Sequence, residues 1–82
     1  MVEPEISFHL LAFGQLSEHI GQRSSTQRVS SGTTIREFVT SSGLEQWIDF
    51  GLSVAKNGQR CSLDEHIQEG DEIALLPPMS GG

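Results

Sequence analysis

The group in this sequence that is best placed to do chemistry is the α-carboxylate of Gly82, the last residue. Before it, residues 77–81 begin with two prolines, which have no N–H for a sheet ladder and favour extended geometry in the preceding residue. Six extended residues reach at most roughly 20 Å, and a glycine main chain fits a slot that excludes other residues. We therefore expect this carboxylate to be the reactive group, carried into a partner's active site by an arm. The arm comprises Pro77, Pro78, Met79, Ser80 and Gly81.

The other groups that could carry chemistry are isolated along the chain. Cys61 has no histidine close in sequence and no Cys-x-x-Cys partner, which is typical of a packed or edge thiol rather than a catalytic one. The histidines at 9, 19 and 66 lack the spacing of metal ligands. No glycine-rich phosphate loop is present, so ATP is expected to bind a partner and not this chain. No pair of nucleophile and base can be assigned, which leaves Gly82 nearly alone.

Length and composition indicate one small domain. A chain of 82 residues with 35% hydrophobic residues can build one compact core. No apolar run approaches the roughly 20 residues that span a bilayer, and the first five residues do not resemble a signal peptide. A single cysteine excludes an internal disulfide, so we expect a reducing, cytoplasmic location. The net charge of -6 argues against a nucleic-acid partner, since phosphate binding needs basic residues.

An apolar pattern with a period of two predicts the first strand over residues 6–13. The face expected to enter the core carries Ile6, Phe8, Leu10 and Ala12. The opposite face begins polar and ends with Leu11 and Phe13, so it is expected to expose an apolar patch. A short helical turn over residues 16–20 should follow. Residues 26–30 are a weaker strand prediction, paired with the first strand as a hairpin.

Two helical segments are predicted in the middle of the chain. Thr34-Ile35-Arg36-Glu37 fits a capping box, in which the threonine and glutamate side chains satisfy each other's free N–H groups. The buried stripe of this main helix would be Ile35, Phe38 and Val39. The same spacing recurs in Leu44, Trp47 and Ile48. Phe50 follows closely, and the segment is predicted either as a second short helix or as an irregular loop whose apolar residues plug the core edge.

The last part of the chain predicts three more strands. Asn57-Gly58 favours a type I′ turn, because both positions need positive φ, and this turn joins strands over residues 52–56 and 59–61. Residues 72–76 form the final strand, with Leu76 facing away from the core. The carboxylates near it are expected to be solvated or to meet basic residues of a partner: Glu65, Glu69, Asp71 and Glu72.

The predicted order β-β-α-β-β-β favours an α+β fold of the β-grasp (ubiquitin-like) type. It has a mixed sheet, one main helix packed on one face, and the last strand beside the first. Residues 1–76 would form this domain and residues 77–82 the reactive tail. With the first and last strands adjacent, Leu11, Phe13 and Leu76 would make an apolar docking patch at the root of the tail. The alternative is that these three residues pack under the segment 44–50.

The element order and the tail together resemble the MoaD/ThiS family of ubiquitin-like sulfur carriers, within it most closely the small subunits of molybdopterin synthase. The resemblance covers essentially the whole chain. It is carried by the letters EGDEIA at residues 69–74, followed by LLPPMSGG at residues 75–82. A Gly-Gly end alone is a weak signal. The turn, the strand, the two prolines and the final glycines at one fixed spacing are much more specific.

This resemblance implies that a partner adenylating enzyme activates the Gly82 carboxylate with ATP. A persulfide-bearing partner then converts it to a thiocarboxylate, which donates sulfur to a pterin precursor in molybdopterin synthesis. The large subunit of molybdopterin synthase would supply the catalytic residues, so this chain would be a co-substrate and not a catalyst. No bound cofactor and no membrane contact are implied.

Other functions stay open at this point. The sulfur could go to thiamine, to a thiolated tRNA base or to another metabolite. The chain could also be a protein modifier that forms an isopeptide bond through Gly82, or an interaction domain whose tail is idle. The family usually has an apolar residue on the short strand where Arg60 is placed here, and this departure bears on the choice of partner.

Overall fold

A mixed five-stranded sheet is the framework of the protein, seen in a computed structural model that describes residues 4–78. The elements are β1 (Glu5–Ala12), α1 (Gln15–Ile20), β2 (Ser24–Ser30), α2 (Ile35–Ser41), α3 (Glu45–Asp49), β3 (Ser53–Lys56), β4 (Gln59–Cys61) and β5 (Glu72–Leu76). The strand order is β2-β1-β5-β3-β4. β1 and β5 pair in parallel at the centre, and the other pairs are antiparallel. The predicted adjacency of the first and last strands is confirmed.

The hydrophobic core lies on one face of the sheet and includes residues of all three helices. The alternation predicted for β1 is confirmed, because Phe8, Leu10 and Ala12 are buried and Ile6 is half-buried. The rings of Phe8 and Phe38 meet edge to face, with centroids 5.1 Å apart. Ile73 and Leu75 of β5 enter the same cluster, which leaves alternate residues of the central strands on the outward face.

Local signals position the helices and the hairpin as predicted. Thr34 Oγ1 accepts a hydrogen bond from the Glu37 N–H at 3.1 Å, and the Thr34 N–H donates to Glu37 Oε1 at 2.9 Å. The segment after α2 forms the helix α3, so the loop alternative is excluded. Asn57 and Gly58 have φ of 52° and 85°, which is the backbone that a type I′ turn requires. No helix within residues 4–78 is long and apolar enough to cross a membrane.

Asp71 departs from the expectation of a solvated carboxylate, because its side chain is buried and only 6% of the residue is exposed. It accepts hydrogen bonds from Asn57 Nδ2 at 3.0 Å and from the Gln68 N–H at 2.8 Å, and Lys56 Nζ lies 3.3 Å away. Burial by itself would raise the pKa of Asp71, but these donors outweigh it and hold the pKa below its ordinary value. Asp71 therefore joins the β3–β4 turn to the start of β5 and is not available to a partner.

Glu69 is also engaged within the domain, although it remains exposed. Its two carboxylate oxygens accept from the N–H and the hydroxyl of Ser7, at 3.0 and 2.9 Å. These hydrogen bonds hold the pKa of Glu69 below its usual value. Glu65 and Glu72 are exposed, as expected of solvated carboxylates.

Candidate functional site

The chain leaves β5 between two glycine turns, one on each side of that strand. Gly14 follows β1 with φ +58°, and a Cβ at this position would lie 3.1 Å from Pro77 Cγ. Gly51 precedes β3 with φ +103°, and a Cβ there would lie 3.5 Å from Pro78 Cβ. Glycine adopts such positive φ without the steric cost that other residues meet. The described start of the arm is therefore seated between turns for which glycine is required.

The structure brings together the three residues predicted as a docking patch. Leu11 is the Cα partner of Ala74 in the β1–β5 pair, and the Phe13 N–H donates to the Leu75 carbonyl at 3.3 Å. This register places Phe13 next to Leu76 on the outward face. Phe13 is 46% exposed, so the segment 44–50 does not cover it. Docking by this patch stays a prediction.

A second exposed aromatic residue, Phe50, lies beside the arm and was not predicted as part of the site. It is 61% exposed and packs edge to face on Trp47, with ring centroids 5.9 Å apart. Phe13 and Phe50 each directly precede one of the two glycines that contact the prolines. The sequence held one signal for this exposure, because Phe50 falls outside the i, i+3, i+4 stripe that buries the rest of α3.

A surface hollow of about 630 Å³ lies at the root of the arm, next to the apolar patch. Its lining residues are Gly51, Ser53, Arg60, Leu76, Pro77 and Pro78. Arg60 lies on β4, where the sequence places it, and its Nη2 donates to Ser53 Oγ at 2.7 Å. The hollow is thus apolar on the arm's side and carries one guanidinium on the other.

The remaining arm residues, Met79, Ser80, Gly81 and Gly82, lie outside the described residues. Within residues 4–78 no group of three or more His, Cys, Asp or Glu side chains could hold a metal ion. Cys61 is half-buried at the end of β4. Burial, with a contribution from Glu65, raises the pKa of the Cys61 thiol, which keeps it protonated and a weak nucleophile.

Gly14→Ala should lower the free energy of unfolding by about 1–3 kcal/mol, because a side chain is forced into a positive-φ conformation. It should also displace Pro77, since the new Cβ would lie 3.1 Å from that ring. Gly43→Ala is the matched control, because φ there is +81° with no atom within 4 Å of the added Cβ. Denaturant unfolding measures stability, and a fluorescent label at the arm measures displacement. Equal arm signals in the two variants would contradict the contact.

Comparison with known proteins gives a family match and a set of folds. The model of the ThiS family matches residues 10–82. Small archaeal modifier protein 1 of Haloferax volcanii is 48% identical over 31 residues, a segment that covers 38% of this chain and only 36% of that protein. The crystal structure of SAMP1 from Haloferax volcanii is 30% identical with a TM-score of 0.70, covering 93% of this chain and 99% of that one.

A further structural neighbour is a chain in the complex of subunits 1 and 2 of the molybdopterin-converting factor from Helicobacter pylori 26695. It has a TM-score of 0.58 and 23% identity, and the match covers 94% of this chain and 100% of that chain. At this identity the likeness concerns the fold alone. The neighbours agree with the sheet order and the helix positions described above. The predicted α+β fold of the β-grasp type is confirmed.

Proposed function

The chain belongs to the ThiS family, and we propose that it is a sulfur carrier whose Gly82 carboxylate is activated and converted to a thiocarboxylate. One observation carries the proposal. The chain leaves β5 between two glycine turns, and the exposed rings of Phe13 and Phe50 flank this exit. A partner that docks on these apolar groups at the arm's root is positioned to receive the end of the arm.

The chemistry requires activation because a carboxylate is a poor acceptor of nucleophiles. In the proposed first step a Gly82 carboxylate oxygen attacks the α-phosphorus of ATP on the adenylating enzyme, and pyrophosphate leaves. The terminal sulfur of a persulfide then attacks the acyl-adenylate carbon and AMP leaves. A thiol cleaves the resulting S–S bond, which leaves a thiocarboxylate on Gly82. This chain supplies the reacting carboxyl group and the docking surface, and its partners supply the catalysts.

We propose a pterin precursor in molybdopterin synthesis as the sulfur acceptor. The Helicobacter pylori neighbour supports this choice, because it is a complex between the two subunits of a molybdopterin-converting factor. The large subunit would be the corresponding partner here. Sulfur transfer to thiamine, tRNA or another metabolite uses the same activated Gly82 and differs only in the acceptor that docks.

Protein modification through Gly82 is the second candidate, favoured by the match to a small archaeal modifier protein. Lys56 is the only lysine of the chain, and its side chain is 18% exposed. Its ammonium donates to the His66 carbonyl at 3.0 Å and pairs with Asp71. An amine held in this way is a poor acceptor, so conjugates would form on lysines of other proteins.

Intact mass spectrometry of the protein purified from its native host tests the sulfur-carrier proposal. We expect a fraction of the chain to carry about 16 Da extra, the difference between sulfur and oxygen. Methionine oxidation adds a similar mass, so protein lacking Gly82 is purified in parallel as the control. An adduct that persists without Gly82 would exclude the thiocarboxylate. Heavier conjugates that disappear with Gly82 would instead support the modifier.

A further inference from the structure

We propose that Arg60 selects the protein partner of this domain, through an ion pair with a carboxylate on the partner's docking surface. The inference rests on the proposed function, because it concerns the partner that receives the arm. It assigns a role to a residue outside the apolar patch and states the charge that the partner must present.

Arg60 is in register with the apolar patch on the outward face of the sheet. One row of Cα partners crosses four strands, from the edge inward: Arg60, Ala55, Ala74 and Leu11. The Arg60 guanidinium donates to Ser53 Oγ at 2.7 Å, and Ser53 is the Cα partner of Leu76. This hydrogen bond directs the guanidinium toward the arm's root, where Arg60 lines the hollow together with Leu76 and the two prolines.

The guanidinium of Arg60 has charge and donors that the described part of the chain does not use. The protein carries eleven acidic and five basic side chains, yet no carboxylate of residues 4–78 forms an ion pair with Arg60. Three of the other basic residues do form such pairs: Arg28 with Glu5, Arg36 with Asp64, and Lys56 with Asp71. Arginine stays charged and offers five N–H donors in a fork that matches a carboxylate.

Charge complementarity therefore defines the occupant of this surface. A fitting partner would contact Phe13 and Leu76 with apolar groups and place an Asp or Glu opposite Arg60. The apolar contacts would exclude water around the pair, which strengthens a charge-assisted hydrogen bond. A partner without the carboxylate would have to bury the guanidinium unpaired, which costs affinity and discriminates against it.

The test uses the full chain and, as the probe, the adenylating enzyme of the same organism. Titration calorimetry without ATP measures affinity, and exchange of labelled pyrophosphate into ATP measures activation of Gly82. Arg60→Ala should weaken binding on the order of tenfold and Arg60→Glu on the order of 100-fold, with KM raised and kcat unchanged. Arg60→Lys should fall between wild type and Arg60→Ala, because an ammonium does not make the bidentate pair.

Arg28→Glu is the matched control, because it makes the same charge change on β2, at the opposite edge of the sheet. We expect it to bind as wild type, and thermal melts check that every variant is folded. Equal losses in Arg60→Glu and Arg28→Glu would overturn the inference, since net charge would then explain both. Tighter binding by Arg60→Ala would also overturn it, because Arg60 would then be restraining the arm's own carboxylate.

The two readouts separate this inference from the proposed function. Binding that depends on Arg60 without any pyrophosphate exchange would support the inference and contradict the sulfur-carrier function. Exchange that does not depend on Arg60 would do the reverse. No binding by the wild-type protein would overturn both.

Discussion

Removal of Gly82 is expected to abolish sulfur transfer while leaving the domain folded. The reacting carboxyl group would then sit on Gly81, about 3.5 Å short of its position in the partner's active site. A misplacement of 1 Å can cost a reaction about 10²-fold, so a whole residue should reduce pyrophosphate exchange by more than that. The described core residues all lie between Phe8 and Leu75, so the melting temperature should not change.

Two controls make this experiment decisive. Thr40→Ala alters an exposed position on α2 and should retain full exchange activity. An extra alanine after Gly82 should be as inactive as the deletion, because it moves the carboxylate in the opposite direction. A large drop in the melting temperature on deletion would show that the end of the chain supports the fold. Retained activity would show that the reactive group lies elsewhere.

Replacing Asp71 by alanine is expected to give the largest loss of stability from a single surface-proximal change. The substitution removes the acceptor of hydrogen bonds from Asn57 and Gln68 and leaves the Lys56 ammonium without its close partner. Breaking a buried pair on one side costs about 3 kcal/mol or more. Denaturant unfolding measures this loss. Glu72→Ala, next in sequence but exposed, should change stability by less than about 0.5 kcal/mol.

The same residue should shape the acid side of the stability profile. The pKa of Asp71 is lower in the folded protein than its ordinary value of 3.8. Its contribution is therefore fully present above that ordinary pKa and is lost as the pH falls through the folded pKa. Asp71→Ala should flatten the acid-induced decline, although Glu69, whose pKa is also lowered, keeps part of it. Parallel profiles for wild type and Asp71→Ala would contradict this role of the carboxylate.

Features that depend on neighbouring residues could be predicted from the sequence. The capping box at Thr34, the type I′ turn at Asn57 and the alternation of β1 each arise from contacts within a few residues. The order of such elements then left few folds, and the adjacency of the first and last strands followed from the fold. Local chemistry was thus sufficient for the scaffold and for a docking patch that includes Phe13.

Features that depend on distant residues were less accessible. Asp71 was expected to be solvated because nothing near it in sequence shows that Lys56 and Asn57 fold over it. Phe50 was grouped with the core edge, since exposure depends on where α3 ends relative to the sheet. Hydrophobicity states which side chains favour burial, but the packing of elements far apart in the chain decides which of them are buried.

The sequence by itself determined the reactive end of this protein, because the chemistry of a glycine carboxylate after an extended arm does not depend on the fold. It also determined the strands and helices, whose signals are local. Only the tertiary structure decided how the arm is seated and what surrounds it. Gly14, Gly51 and Arg60 reach the prolines and Leu76 through sheet pairings between segments far apart in sequence. Those distances are set by strand register and packing, which no local pattern encodes.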